Sequence, residues 1–257
     1  MSRRAPEAPT SKWDAHWSRV GVVLDDMDRE ILANLAEYIP FRGHSLLELG
    51  CGRGILSRFA MEQGAASATL VDSSGEALQL ARRVLADMSP VEFVQGDLLA
   101  YRSSRKFDIV LSSGVLEHFR GQALMDCLRV HADHACRLVA IIVPTTPHAN
   151  EYHCRTRRFV DVCGYERPIS ALRMRRLLVR AGMKPLLMKR FFPLYNVGAY
   201  WTLPRTAIGC IDRELDRKFL KLDASIAKRH IRDRVIPRLR RLDSLLGGLL
   251  LAVARPR

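Results

Sequence analysis

Short apolar runs alternate with helical patterns between residues 45 and 143. The runs are typical of buried parallel strands, and the segments between them have apolar residues at three- and four-residue steps. This alternation predicts a doubly wound α/β sheet. The predicted strands cover residues 45–49, 68–71, 91–94, 107–113 and 138–143, and the predicted helices between them cover 55–63, 75–88 and 120–136.

Both ends of the chain add helical patterns. Residues 1–11 are rich in Pro, Ala and charge, which predicts a disordered tail. Trp13 and Trp17, four residues apart, begin a predicted helical region over 12–40. Further along, residues 170–181 predict an amphipathic helix that ends at Gly182, and residues 184–192 predict a strand.

Three glycines follow the first predicted strand, at positions 50, 52 and 54. Glycine permits backbone angles closed to other residues and lets a ligand approach the main chain at a helix start. A tight turn with no ligand would use the same residues. A dinucleotide fingerprint is disfavoured because its third glycine would stand at Ile55, and because Glu48 would face a pyrophosphate.

Carboxylates end the next two predicted strands. Asp72 lies about 20 residues beyond the glycine turn, where a carboxylate can accept both ribose hydroxyls of a nucleoside. Asp97, followed by Leu98, is placed to hold an adenine amino group. The alternatives are that Asp72 caps the following helix and that Asp97 closes a turn.

These residues belong to five successive motifs: LLELGCGRG, LVDSS, VQGDLL, FDIVLSSGVLEHF and RLVAIIVP. In this order they resemble the class I S-adenosylmethionine-dependent methyltransferases, in the branch of quinone- and natural-product-biosynthesis enzymes. The resemblance covers residues 40 to about 192 and the last ten residues. It implies one methyltransferase domain over 12–257 with a mostly parallel seven-stranded sheet of order 3-2-1-4-5-7-6.

The resemblance also implies S-adenosyl-L-methionine as the cofactor and assigns roles to residues. Glu48, Gly50 and Gly52 would contact the methionine part, Asp72 the ribose, Asp97 and Leu98 the adenine, and Ser113 the amino-acid end. The full predicted cofactor set is Glu48, Gly50, Cys51, Gly52, Gly54, Asp72, Ser73, Asp97, Leu98 and Ser113. Cys51 is interpreted as a small packing residue rather than a nucleophile.

Methyl transfer from a sulfonium needs chiefly an acceptor held in line, so a dedicated catalytic residue is optional. If the acceptor is a hydroxyl, His118 and His148 are the candidate bases. Trp17, Tyr152 and His153 are candidate substrate contacts. The tryptophans of the N-terminal region would either cap the cofactor pocket or fasten their helix to the core.

The resemblance makes 249–256 the seventh strand and leaves residues 193–247 as a long helical insertion between the last two strands. Within it, apolar residues from Ile211 to Ile226 recur at helical steps among Lys and Arg, which predicts a basic amphipathic helix stopped near Pro237. It would be a helix packed on the domain, a membrane-surface helix or a lid over an anionic substrate.

Charge is unevenly divided along the chain. The net charge is +14, but residues 1–150 carry 16 basic and 18 acidic residues and residues 151–257 carry 25 and 9, giving −2 and +16. No apolar run approaches the roughly 18 residues of a membrane span, and the N-terminus has no apolar signal core. The six cysteines are scattered, and no clustered ligand set suggests a metal. A cytoplasmic protein is expected, with peripheral association at an anionic inner membrane face as a further hypothesis.

The sequence therefore predicts S-adenosylmethionine-dependent methylation of a small molecule or a lipid-linked intermediate, with an anionic acceptor as one hypothesis. No Asn/Asp-Pro-Pro-Tyr tetrapeptide and no Pro-Cys pair is present, which disfavours two classes of nucleic-acid methyltransferase. The alternatives are an RNA methyltransferase that uses the basic C-terminal half and a cofactor-binding scaffold without turnover.

Overall fold

The computed structural model describes residues 12–146, 166–192 and 243–257. The strands of these ranges are β1 Ser45–Leu49, β2 Ser67–Asp72, β3 Val91–Gln95, β4 Phe107–Ser113, β5 Ala135–Pro144, β6 Met183–Phe191 and β7 Leu249–Pro256. They form one sheet in the order β3-β2-β1-β4-β5-β7-β6. The first five strands are parallel, and β7 runs antiparallel to β5 and β6. The predicted fold class and strand order are confirmed.

Helices of the described ranges connect and cover the strands. They are α1 Lys12–Trp17, α2 Asp26–Tyr38, α3 Ile55–Glu62, α4 Gly75–Val84, α5 Gly121–His134, α6 Ala171–Arg180 and α7 Asp243–Leu246, with a 3₁₀ turn at Leu116–His118. The disordered tail predicted for 1–11 and the basic helix predicted between Ile211 and Pro237 lie outside the described residues. Of the predicted insertion, 193–247, only its last five residues are described, and they contain α7.

Three predicted helical segments differ from the structure by more than one residue. The N-terminal helical region is two helices, because residues 18–25 are not helical and Asp25 caps α2 in a capping box with Asp28. The helix predicted over 75–88 ends at Val84, where the Leu85 N–H closes the last turn on Ala81 O. The helix predicted to reach 136 ends at His134, because Ala135 already pairs with β4.

Two apolar clusters cover the two faces of the sheet. Leu47 and Leu49 of β1 pack in the cluster that includes α5 and α6, whereas Leu46 packs in the cluster that includes α2, α3 and α4. This division follows from the two-residue period of side chains along a strand. Because both faces are covered, the central strands read as continuous apolar runs in the sequence. No helix in the described ranges has the length and apolar character to span a bilayer.

His131 of α5 is buried between the helix and β4. Its Nδ1 lies 2.7 Å from Cys127 O and its Nε2 lies 2.8 Å from the Ser112 hydroxyl. A neutral ring satisfies both contacts by donating from Nδ1 and accepting at Nε2. Burial lowers the pKa of His131 to about 4, despite the opposing hydrogen bond to Cys127.

This histidine is expected to make the fold sensitive to acid. The folded pKa lies below the unfolded value of about 6.5, so its contribution is complete above pH 6.5 and is lost as the pH falls toward 4. The difference in unfolding free energy between the wild type and His131→Gln should therefore shrink by up to about 3 kcal/mol between these pH values. Denaturant titrations would measure it, with the surface histidine variant His44→Gln as the control. A difference that does not change with pH would contradict the assignment.

Candidate functional site

A cavity of about 720 Å³ opens at the carboxyl edge of the sheet. Because β1 to β5 are parallel, their carboxyl ends meet at this edge, where ligands bind in open α/β sheets. Nine of the ten residues predicted to bind the cofactor line the cavity: Glu48, Gly50, Cys51, Gly52, Asp72, Ser73, Asp97, Leu98 and Ser113. Their juxtaposition is the geometry that the parallel strands predict.

The turn from β1 to α3 brings main-chain atoms to the cavity surface. Its glycines at 50, 52 and 54 have φ values of +68°, +51° and +74°, in the left-handed region that glycine adopts readily. The Gly52 N–H donates to Asp72 Oδ2 at 2.8 Å, which fastens the turn to the end of β2. A Cβ at Gly52 would lie 2.5 Å from the ring of Trp17. The turn therefore needs glycine at 52 for both conformation and space.

Gly54 does not line this cavity. A Cβ there would lie 2.8 Å from Leu85 Cδ1, 3.0 Å from Ala81 Cβ and 3.1 Å from Leu70 Cδ2. The absence of a side chain at Gly54 lets α3 begin close to α4 and β2. Its N–H donates to Cys51 O at 2.9 Å, so Gly54 belongs to the same turn as the predicted cofactor contacts but lies outside the cavity that they line.

Glu48 is a buried carboxyl group in the cavity wall, with 2% of its surface exposed. Its Oε2 accepts hydrogen bonds from the backbone N–H of Ser57, at 3.0 Å, and from the Ser57 hydroxyl. Burial raises the pKa of Glu48 to about 8; the Ser57 hydrogen bonds oppose the rise and the negative charge of Asp72 adds to it. A cation bound nearby would favour the ionised form.

Asp72 ends β2 with both carboxylate oxygens engaged by the backbone. Oδ2 accepts the Gly52 N–H, and Oδ1 accepts the Ser74 N–H at 2.9 Å. The alternative that Asp72 caps α4 is wrong, because the N-cap of α4 is Ser74, whose hydroxyl oxygen accepts a hydrogen bond from the Ala77 N–H. Each carboxylate oxygen keeps a second acceptor position for ligand hydroxyls.

The ends of β3 and β4 complete the wall. Asp97 is exposed, and its Oδ1 accepts the Leu99 N–H at 2.9 Å, so it does close a turn. It still lines the cavity beside Leu98, whose side chain is half-buried. Ser113 is also half-buried in the wall at the end of β4. Turn closure and ligand contact are therefore compatible at Asp97.

Helix α1 lies over this cavity with three rings in its wall. Trp13 stacks edge-to-face with His118 at 5.0 Å between ring centroids, and His16 does so with Trp17 at 4.9 Å. All four residues line the cavity. The position agrees with both sequence interpretations, because the tryptophans border the cavity and also pack their helix against the domain.

Polar contacts of two side chains, Arg53 and Asp14, hold this N-terminal segment in place. Arg53 of the glycine turn donates to Gly21 O at 2.7 Å and to Val23 O at 3.2 Å, and it forms a salt bridge with Asp28. Asp14 of α1 accepts a hydrogen bond from the hydroxyl group of Ser74 at the start of α4. The segment is thus tied to the β1–α3 turn on one side and to the end of β2 on the other.

Cys51 is a buried thiol beside the glycines. Burial, together with the negative charges of Glu48 and Asp72, raises the pKa of Cys51 well above its usual range. A thiol with a raised pKa is a poor nucleophile, because the thiolate is the reactive form. This supports the interpretation of Cys51 as a packing residue.

Several predicted residues are not placed, and several cavity residues were not predicted. The second candidate base, His148, and the candidate substrate contacts Tyr152 and His153 lie outside the described residues. The unpredicted cavity residues with titratable or charged side chains are His16, Asp25, Asp28, Arg53, Glu117 and Glu166. Glu117 and Arg53 stand inside the quoted motifs, so their position next to strand ends was the available signal.

Comparison with known proteins agrees with this geometry. Residues 46–134 match the model of a family described as a methyltransferase domain. The mitochondrial ubiquinone biosynthesis O-methyltransferase of Schizosaccharomyces pombe is 37% identical over 83 residues, which is 30% of this chain and 30% of that protein. The cypemycin N-terminal methyltransferase of a Streptomyces species is 28% identical over 117 residues, 38% of this chain and 47% of that protein. The matches thus span less than half of either relative.

A solved structure resembles the fold over a larger part of the chain. The S-adenosylmethionine dependent methyltransferase from Mesorhizobium loti aligns with a TM-score of 0.57 at 19% identity, covering 87% of this chain and 95% of that one. The methyltransferase-domain match covers residues 46–134, and the strand order is the one implied by the resemblance to class I S-adenosylmethionine-dependent methyltransferases.

Proposed function

We propose that this chain transfers a methyl group from S-adenosylmethionine to a small-molecule or lipid-linked acceptor. The observation that carries the proposal is the convergence of Glu48, Asp72, Asp97 and Ser113, from the ends of four successive strands, on one cavity. Four polar side chains at these positions match the polar groups spread along an adenosyl amino acid. A tight structural turn alone would not require all four.

The donor set fits this cofactor part by part. The Asp72 carboxylate would hold the ribose hydroxyls, and Asp97 with the apolar Leu98 would hold the adenine. The buried carboxyl of Glu48, with the main chain at Gly50, would hold the methionine end, and Ser113 would bind its amino-acid group. Cys51 and Ser73 would fill the wall between these contacts.

S-adenosylmethionine supplies a methyl group already activated on a sulfonium. The protein's contribution is therefore to hold the acceptor in line and to exclude water, which can supply much of the acceleration. Trp13 and Trp17 border the cavity and would provide apolar walls for this purpose. For a hydroxyl acceptor, His118 is the candidate base, since it lines the same cavity.

The acceptor class is less constrained than the cofactor. One relative is named an O-methyltransferase of ubiquinone biosynthesis and the other an N-terminal methyltransferase, so similarity leaves open whether oxygen or nitrogen is methylated here. A lipid-linked acceptor, membrane association and the RNA alternative rest on the basic residues of the C-terminal half. Those residues lie largely outside the described ranges.

Calorimetry with S-adenosylmethionine, its demethylated product, and adenosine and methionine as separate fragments tests the proposal. We expect both full ligands to bind with one-to-one stoichiometry and more tightly than either fragment. Mass spectrometry after long incubation would then detect slow turnover of the cofactor. Absence of heat from folded protein would refute the proposal, and binding without turnover, even when acceptors are supplied, would favour a scaffold.

A further inference from the structure

Glu117 carries a buried carboxyl group in the wall of the cavity. Only 2% of its surface is exposed, and its Oε2 has no hydrogen-bond partner among the residues that the structure describes. Buried polar atoms nearly always have a partner, and leaving one unpaired costs free energy. Such a group at a ligand cavity is a candidate to be satisfied by the ligand.

Backbone hydrogen bonds bring a second carboxyl group to the same place. The Arg167 N–H donates to Glu117 O at 3.0 Å, and the Ile169 N–H donates to Pro144 O at 2.9 Å. The segment that begins at Glu166 therefore runs beside the 3₁₀ turn and the end of β5. Glu166 lines the cavity too, and its negative charge adds to burial in raising the pKa of Glu117.

The described wall of the cavity is acidic, although the chain is basic overall. Seven carboxyl side chains, two histidines and one arginine line it. The arginine, Arg53, forms a salt bridge with Asp28. Burial raises the pKa of Glu48 and of Glu117, and even with these two groups counted as neutral the five other carboxyl groups outnumber the one arginine, so the described wall is negative although the chain carries a net charge of +14. A wall of this sign attracts cations and disfavours the anionic acceptor considered from the sequence.

We infer that the acceptor is an amine, cationic when free, whose nitrogen is held beside Glu117 and Glu166. The inference rests on the proposed methyl transfer. The neutral amine uses its lone pair to form the N–C bond while the C–S bond breaks and its electron pair stays on sulfur. The positive charge moves from sulfur to nitrogen, and the proton that nitrogen loses goes to water.

The two carboxyl groups distinguish this acceptor from a phenol. The nitrogen becomes more positive during the reaction, and a carboxylate beside it stabilises that charge. A phenol reacts through an oxygen that becomes negative as its proton leaves; one carboxylate can take that proton, but the second stays ionised beside the oxygen and opposes its negative charge. The acidic wall therefore selects an amine both in binding and in the transition state.

Three probes of similar size test the inference on the full chain saturated with the demethylated cofactor: benzylamine, benzyl alcohol and benzoate. Calorimetry should give a preference for benzylamine on the order of tenfold over the other two. Glu117→Gln should remove most of this preference and Glu166→Gln part of it. Glu37→Gln, on the exposed face of α2, is the matched control and should retain it.

The outcomes distinguish the inferred amine acceptor from the proposed methyl transfer. Equal binding of benzoate, no detectable binding of benzylamine, or a preference that survives both cavity variants would overturn the inference. Glu166 is half-buried, so its variant remains informative if Glu117→Gln does not fold. Methyl transfer to phenols but not to amines would overturn it too while leaving the proposed function intact. Failure to bind the demethylated cofactor would instead reject the proposed function.

Discussion

Replacing Asp72 with alanine is expected to weaken the binding of S-adenosylmethionine and of its demethylated product by on the order of ten- to a hundredfold. The variant loses the hydrogen bonds that the ribose hydroxyls would donate to a carboxylate, and such bonds are stronger than those between neutral groups. It also frees the Gly52 and Ser74 N–H groups that Asp72 holds in place. Isothermal calorimetry measures the effect directly.

Two further variants separate direct contact from support of the turn. Asp72→Asn keeps the shape of the side chain and one acceptor oxygen, so it should bind more tightly than the alanine variant and less tightly than the wild type. Asp87→Ala removes an exposed carboxylate that pairs with Arg58 outside the cavity, and it should leave affinity unchanged. Wild-type affinity in a folded Asp72→Ala protein would show that the ribose lies elsewhere.

The strand order was predictable because the fold is encoded in local apolar patterns. Each central strand is covered on both faces, so it reads as a short continuous apolar run. Helix ends were less predictable, because they depend on partners distant in sequence. α5 stops at His134 since Ala135 pairs with Phe107, 28 residues earlier in the chain. In the sequence, the only sign of the break between α1 and α2 is Asp25, the residue that caps α2.

The cofactor side of the cavity was predictable for a related reason. Parallel strands bring their carboxyl ends together, so the residue that follows each apolar run is a site candidate without knowledge of tertiary contacts. Gly54 shows the limit of this reasoning. A glycine in such a motif indicates a positive φ, but it does not tell whether the residue lines the cavity. Gly54 packs instead against Leu85 and Ala81, at and near the end of the neighbouring helix α4.

The side of the cavity proposed to bind the acceptor was not predictable from the sequence. Charged residues are usually exposed, so nothing in the motif around Glu117 signals that its carboxyl is buried, with an Oε2 that has no hydrogen-bond partner among the described residues. Its neighbour Glu166 comes from a segment 49 residues later, and backbone hydrogen bonds of that segment to Glu117 and to the end of β5 bring the two together. The basic composition of the C-terminal half pointed to an anionic acceptor, whereas the described wall has the opposite charge.

The affinity for the demethylated cofactor should rise with pH, because Glu48 must ionise to bind its ammonium group. With a pKa of about 8, Glu48 is mostly protonated in the free protein at neutral pH. Binding of a cation favours the carboxylate, so a proton is released and affinity increases by up to about tenfold per pH unit below 8. The rise is measured between about pH 5.5 and 7.5, where the ligand's own ammonium keeps its proton.

Calorimetry in buffers of different ionisation enthalpy should detect the released proton in the wild type. Glu48→Gln cannot release it, so its affinity should be lower at pH 7.5 and nearly independent of pH across the same range. Because glutamine keeps the size of the side chain and can accept the Ser57 hydrogen bonds, the comparison isolates the charge. If the variant keeps the pH dependence of the wild type, another group releases the proton, and Glu48 does not bind the ammonium.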